Sequence, residues 1–400
     1  MLAALKIRDF RLYWFGMTIV LIGDWIQVIA LGWLIYKLTN SAFLLGLIDF
    51  IGAVPMFSLT LFGGVLADRI DRKKIIIVTQ AFFMLLAFTL GVLTQANLIT
   101  PFYVGLIAFL SSIVRAFDLP CRQAFIRELV DKERLFNAIT LNSISFQSSQ
   151  VIGPALAGII ASSLGISSCF YANAVSSLAI IISLFFVRRK KVIDISCNAG
   201  KTVWQGLKEG LNILRESRLI LMLLVTVAVV TFFSSGYGTF MPIFAKSILK
   251  VDVKGLGMLM SSAGFGALIG GFILIQMGDF KAKGRLLMFA AFIFASSVVA
   301  FSLSKIFAFS LLALVFIGAS RFTSAALVNT LLQLNVTEEF RGRVMSLFVI
   351  ILSVFAPLGS LVIGGLSKYI GISFTIMLGG SICITYLLFL NLFYPGIRRA

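Results

Sequence analysis

The chain has 400 residues, of which 60% are hydrophobic and 12% charged, with a mean hydropathy of +1.05; an ordinary water-soluble domain carries about 25% charged residues. A net charge of +18 would point a soluble chain toward nucleic acid, so the placement of the basic residues decides what they mean. No histidine is present, which removes the usual general base, the usual zinc ligand and any Ser-His-Asp or Cys-His arrangement, and the four isolated cysteines form no metal-ligand cluster.

Apolar runs fall at about 11–36, 42–66, 75–94, 101–120, 138–164, 169–187, 219–244, 255–277, 286–304, 306–330, 344–367 and 372–394. Each is long enough to cross a ~30 Å hydrocarbon core as a helix, so the chain reads as an all-α membrane protein with twelve transmembrane helices. The first run is too long for a cleaved leader and lacks a small-residue cleavage site after it, so it is expected to act as a signal anchor. With the N-terminus in the cytosol, cytosolic segments hold 26 of the 34 Lys and Arg residues. Outer loops hold six, Lys37, Lys246, Lys250, Lys254, Lys305 and Lys368, while Arg115 and Arg321 lie inside spans. This bias predicts a multi-pass protein of the bacterial cytoplasmic (inner) membrane with both termini in the cytosol. The basic charge is then topological: the lipid bilayer is a partner and nucleic acid is not.

The longest polar stretch, 188–218, reads as a cytosolic linker with an amphipathic helix carrying Val203, Trp204, Leu207, Leu211 and Leu214. It separates an N-terminal six-helix bundle, 1–187, from a C-terminal one, 219–400. Gly200-Lys201-Thr202 imitates the end of a phosphate-binding loop, but Ile195 stands where that loop needs its first glycine and no strand precedes, which rejects ATP binding. A shift of 206 residues lays Arg115 on Arg321, Leu141 on Leu347, Gly153 on Gly359, Gly158 on Gly364 and Gly165-Ile166-Ser167 on Gly371-Ile372-Ser373, without a gap. Such agreement in one register indicates a duplicated unit, and hence two pseudo-symmetric bundles.

Gly63-Gly64-Val65-Leu66-Ala67-Asp68-Arg69-Ile70-Asp71-Arg72-Lys73-Lys74, between spans 2 and 3, resembles the signature loop of the major facilitator superfamily, G-x-x-x-D-R-x-G-R-R-x, with Asp71 in place of a glycine. Gly64 permits close helix contact, and Asp68, Arg69 and Arg72 supply charge-assisted partners. In span 5, Gly153-Pro154-Ala155-Leu156-Ala157-Gly158 is similar to the G-P-x-x-G-G element of antiporter branches. Asp118-Leu119-Pro120-Cys121-Arg122-Gln123-Ala124-Phe125 and Asn137-Ala138-Ile139-Thr140-Leu141-Asn142-Ser143 resemble the enterobactin-exporter-like and macrolide-efflux-like branch. The resemblance implies the major facilitator fold, rocking of two bundles around a central cavity, and acceptance by Asp68 of backbone N–H groups at the start of span 11 near Arg343.

Ionisable groups inside the bilayer cost at least about 2.5–3.5 kcal/mol each at the centre, so they are functional candidates. Asp24, near the middle of span 1, leads: a carboxyl so poorly solvated is placed to load and release a proton. Asp49, in the outer half of span 2, is the second candidate, and Arg115 is the third, at a position where the superfamily often has an arginine linked to proton coupling. Arg115 and Asp118, three apart, are also spaced to pair with each other. Gln27, one turn beyond Asp24, and Asn142, Gln150, Tyr237 and Arg321 are the other cavity candidates, with Arg115 shared. Span 5 carries many polar residues, and spans 1 and 7 are expected to break at Gly23 and at Ser234 to Gly238, a pointer to a midplane site.

The expectation is a monomeric, proton-coupled exporter of a small organic molecule, siderophore-like if the two arginines meet an anion, with no metal, no catalytic residue and no cofactor beyond the proton gradient. A multidrug or macrolide efflux antiporter is the alternative, suggested by the many phenylalanines and Asp24; a membrane sensor or enzyme is the distant one.

Overall fold

A computed structural model describes residues 3–188, 217–234, 236–278, 280–394 and 396–399, without the side chains of residues 57, 61–69, 339 and 398–399. Twelve of its helices are long and apolar enough to span a membrane: α1 (Arg8–Thr39), α2 (Ala42–Arg69), α3 (Arg72–Gln95), α4 (Pro101–Leu129), α5 (Lys132–Leu164), α6 (Ile166–Phe186), α7 (Arg218–Ser234, whose span runs on to Thr239), α8 (Val253–Met277), α9 (Lys283–Leu303), α10 (Phe307–Asn335), α11 (Glu338–Ile370) and α12 (Ile372–Phe393). No strand occurs among the described residues. Large side chains such as Phe102, Phe185, Ile275 and Leu392 are exposed, an arrangement that water would penalise and lipid accepts. The chain is a multi-pass membrane protein.

Local chemistry sets the helix ends. Asp71, standing where the signature loop has glycine, is the N-cap of α3, and its Oδ1 accepts from the Lys74 backbone N–H at 3.2 Å. Thr100 caps α4 ahead of Pro101 at the first turn. The α5–α6 and α11–α12 junctions are Gly165 (φ +87°) and Gly371 (φ +79°), a backbone region that side chains rarely adopt. These glycines are repeat mates, so the duplicated sequence makes the same tight corner twice.

Contacts divide the chain into two units: Met1–Leu44 with Ile51–Cys197 and Lys250–Ser261, and Leu45–Phe50 with Asn198–Leu249 and Ser262–Ala400. In the first, α1 packs on α5 and α6, and α3 on α4 and α6; in the second, α7 packs on α11 and α12, and α9 on α10 and α12. The pairings recur with a shift of six helices. Phe10, Tyr13, Ile76, Phe125, Ile180 and Leu184 fill the first core. Leu223, Leu287, Leu331, Leu332 and Val344 fill the second.

Several helices outrun the apolar stretches that announced them. Helix α4 continues to Leu129, α5 starts at Lys132, α10 continues to Asn335 and α11 starts at Glu338. Hydropathy reports contact with hydrocarbon, whereas the helix persists through polar residues that leave it. The expected break at Gly23 does not occur: α1 is continuous, and a Cβ at Gly23 would collide with Ser176 of α6, so this glycine serves packing. In span 7 the residues on both sides of Ser235, itself outside the described residues, are α-helical, Arg218–Ser234 and Gly236–Thr239, so no break is seen from Ser234 to Gly238 among the described residues; beyond Thr239 the chain continues in a helical turn at Met241–Ile243 and a π-helical turn at Phe244–Ile248. The amphipathic segment foreseen in the linker lies outside the described residues.

Candidate functional site

In the first unit, Asp24 lies at the centre of α1, and α4 brings Arg115 to it: Nη2 stands 3.9 Å from Asp24 Oδ2, with the side chains 46% and 20% exposed. At that distance the charges attract without a formed hydrogen bond. The Arg115 guanidinium also lies 5.7 Å from the Phe83 ring centre.

The alternative pairing of Arg115 with Asp118 is not made. Asp118, almost fully buried, ion-pairs with Arg122 one turn further along α4 and accepts from Thr79 Oγ1 at 2.7 Å and Gln80 Nε2 at 3.4 Å, both on α3. A three-residue and a four-residue step both keep side chains on one helix face, and the buried side of α4 is the one that carries Asp118. Arg115, on the exposed side, is left to Asp24.

Gln27 is held rather than free. Its Oε1 accepts from Nδ2 of the buried Asn173 on α6 at 2.8 Å, and Asn173 Oδ1 accepts from Ser176 Oγ at 3.1 Å. The polar residues of α5 divide by face. Ser145 and Ser149 are buried, and Thr18 donates to Ser145 at 3.0 Å. Gln150 donates to Gln147 at 3.0 Å, while Thr140 and Ser143 are exposed and turn back to carbonyls of their own helix. Asn142 is half-buried.

In the second unit, Arg321 Nη1 donates to Tyr237 Oη at 3.0 Å, and the buried Tyr237 ring meets Phe294 edge-on. Asp49 belongs to this unit through residues 45–50; its Oδ2 accepts from Thr239 Oγ1 at 3.1 Å, and Thr239 is 3.1 Å from Ser360 Oγ. Span 7, through its α-helical turn Gly236–Thr239, therefore supplies a partner to both Arg321 and Asp49.

Twelve spans in two matching sets, with charged groups at mid-span, have counterparts among known proteins. The family described as transmembrane secretion effectors, of the major facilitator type, matches residues 1–396. The chain belongs to that family. It is similar to the staphyloferrin A transporter of Staphylococcus aureus, 25% identical over 377 residues that cover 93% of this chain and 94% of the relative. It is also similar to macrolide efflux protein A of Streptococcus pyogenes, 24% identical over 381 residues, 94% of this chain and 93% of the relative. In fold it resembles the crystal structure of the nucleoside transporter NupG, at a TM-score of 0.74 and 13% identity over 98% and 99% of the two chains. This major facilitator protein is a transporter, not an enzyme.

Of the family's conformational motifs, Gly64, Asp68 and Arg69 form the last turns of α2, and the Asp68 contact expected with span 11 lies outside the described side chains. Arg72 is described: its Nη1 donates to Glu128 Oε1 of α4 at 2.7 Å. In α5, Gly153 lies against Trp25 of α1, Pro154 stays inside the helix, and a Cβ at Gly158 would meet Lys254 Cα at 3.0 Å. Sequence reasoning missed Thr79, Gln80, Arg122, Asn173, Glu128, Thr239 and Ser360. Asn173, an amide within an otherwise apolar run, carried a readable signal; Thr239 and Ser360 carried none.

Proposed function

We propose that this transporter exports a small organic molecule in exchange for protons, as a monomer in the cytoplasmic membrane with both termini in the cytosol. The halves 1–187 and 219–400, joined by 188–218, alternate access to the two sides. Asp24 takes up and releases the coupling proton, with Arg115 as its electrostatic partner; Gly64, Asp68, Arg69 and Arg72 steady one conformation, and Gly153, Pro154 and Gly158 give α5 its bend and close contacts. The observation that carries this reading is the 3.9 Å separation of Asp24 and Arg115. Mid-span charges that attract without a formed hydrogen bond are poised: a proton on Asp24 cancels the attraction and frees Arg115, whereas a tight bidentate pair would resist that change.

The named relatives support export of a small molecule, and the siderophore-like cargo is preferred over a macrolide because mid-span arginines suit an anion. The macrolide reading is favoured by a relative of equal coverage and by 39 phenylalanines. Proteoliposomes with an imposed pH gradient test the coupling. Asp24→Asn keeps size and hydrogen bonding but does not ionise, so uphill transport should disappear while substrate still binds. Wild-type uphill transport with proton movement in this variant would make Asp24 structural and move the assignment to Asp49.

A further inference from the structure

Arg321 stands midway along α10, equidistant from Phe307 and Asn335, about 21 Å from either end at 1.5 Å per residue. It is the repeat mate of Arg115, but the two are compensated differently. Arg115 has Asp24; among the described residues no carboxylate pairs with Arg321, whose partner is the neutral hydroxyl of Tyr237. A guanidinium offers five N–H donors, so most of its fork is unused by Tyr237. Tyr237 accepts from Arg321 and keeps its own O–H to donate.

Arg321 is exposed, and two sets of residues on α10 differ in character. Phe309, Leu312 and Phe316 form one, wholly apolar. Arg321 and Ala325, both exposed, the half-buried Asn329 and the exposed Gln333 follow at four-residue steps and form the other; Arg321 is turned about 120–180° from Phe309, Leu312 and Phe316 at about 100° per residue, and each further step drifts by about 40°. Gln333 donates to Asn329 within this set. The apolar set suits lipid; Arg321, Asn329 and Gln333 suit water, with Leu334 beside them 65% exposed. The matching positions on α4, Arg115, Leu119, Gln123 and Arg127, are all exposed, so the duplicated helix carries polar or cationic groups at three of these four positions in each unit.

We propose that the transported molecule carries an anionic group, a carboxylate or a group of like geometry, and that Arg321 and Tyr237 together hold it. The proposal rests on the transport reading above, with its preference for an anionic cargo, and adds the residues that bind and select that anion. The planar fork of Arg321 binds two anionic oxygens at once, the Tyr237 O–H supplies a further donor, and Asn329 and Gln333 offer polar groups between Arg321 and the helix end. Arg321 then carries a mid-span charge whose counter-ion is the cargo itself.

The full chain in nanodiscs of zwitterionic phosphatidylcholine is the material for the test. Citrate, benzoate and inorganic phosphate are the probes, triethyl citrate is the neutral control, and the readout is the ligand-induced rise in melting temperature. At least one anion should stabilise the wild type and triethyl citrate should not. Arg321→Gln should weaken that binding roughly 10- to 100-fold, the loss expected for charge-assisted hydrogen bonds, and Arg321→Lys by less. Tyr237→Phe should weaken it while keeping preference for the anion over the ester. The melting temperature without ligand shows whether each variant folds, and Arg321→Lys preserves the test if Arg321→Gln does not. The proposal is overturned if no anion stabilises the wild type, or if folded Gln and Lys variants bind like the wild type. It is equally overturned if only phosphatidylglycerol added to the nanodiscs gives an Arg321-dependent shift, which would assign the charge to a lipid headgroup. Asp24→Asn separates the two readings: lost coupling with intact Arg321-dependent binding supports this assignment whatever drives transport, and intact coupling with no anion selectivity removes this one alone.

Discussion

Asp118 and Arg122 show what a buried charge pair demands of its surroundings. Their side chains are 3% and 13% exposed, and Thr79 and Gln80 supply further hydrogen bonds to the carboxylate. Removing one partner strands the other charge in a poorly solvated place, a loss of about 3–5 kcal/mol, whereas replacing both with neutral groups of like shape costs far less. Asp118→Asn and Arg122→Gln should each lower the melting temperature of the detergent-solubilised protein markedly, and the double variant should recover most of that loss. Single variants that melt like the wild type would show that the pair contributes nothing to stability. The contrast with Asp24 and Arg115 is one of geometry: a direct, buried pair whose carboxylate is held by Thr79 and Gln80 stabilises a fold, while a separated and partly exposed one is free to change partners.

At the scale of the element, close helix packing rests on positions without a Cβ. On α5, a Cβ at Gly153 would overlap Trp25 of α1 and stand 3.0 Å from the Ile22 carbonyl oxygen. Backbone does not yield to a new side chain as a flexible side chain would, so Gly153→Val should cost about 1–3 kcal/mol through overpacking. Gly238, in the α-helical turn Gly236–Thr239 of span 7, has nothing within 4 Å of its would-be Cβ, and Gly238→Ala should fold and melt like the wild type. Thermal melts of the two variants side by side check the argument; equal stability would mean that α1 and α5 separate without penalty.

For the whole molecule, the charge bias predicts a cytosolic linker, and the cysteines offer a direct check. Cys121, Cys169 and Cys383 are buried within helices, which leaves Cys197 as the thiol outside the spans. A membrane-impermeant maleimide added to intact cells should leave the protein unlabelled, and should label it after the membrane is opened. Labelling from outside would reverse the assigned orientation.

The sequence by itself determined the number of spans and the duplication. Insertion of a helix into hydrocarbon depends on the summed hydropathy of about 20 consecutive residues, a local quantity, and repeat-matched residues such as Gly165 and Gly371 keep their register in the chain. It also singled out Asp24, Arg115 and Arg321, because a charge within an apolar run is conspicuous without knowledge of its neighbours. Which partner each charge takes was decided only by tertiary structure. Asp118 was spaced to pair with Arg115 or Arg122, and the burial of one face of α4 chose between them. Tyr237 meets Arg321 across 84 residues of chain, and Gln27 meets Asn173 across 146. Such pairs are set by how helices rotate and pack against one another, and that rotation is fixed by the fit of many side chains together rather than by any spacing along the sequence.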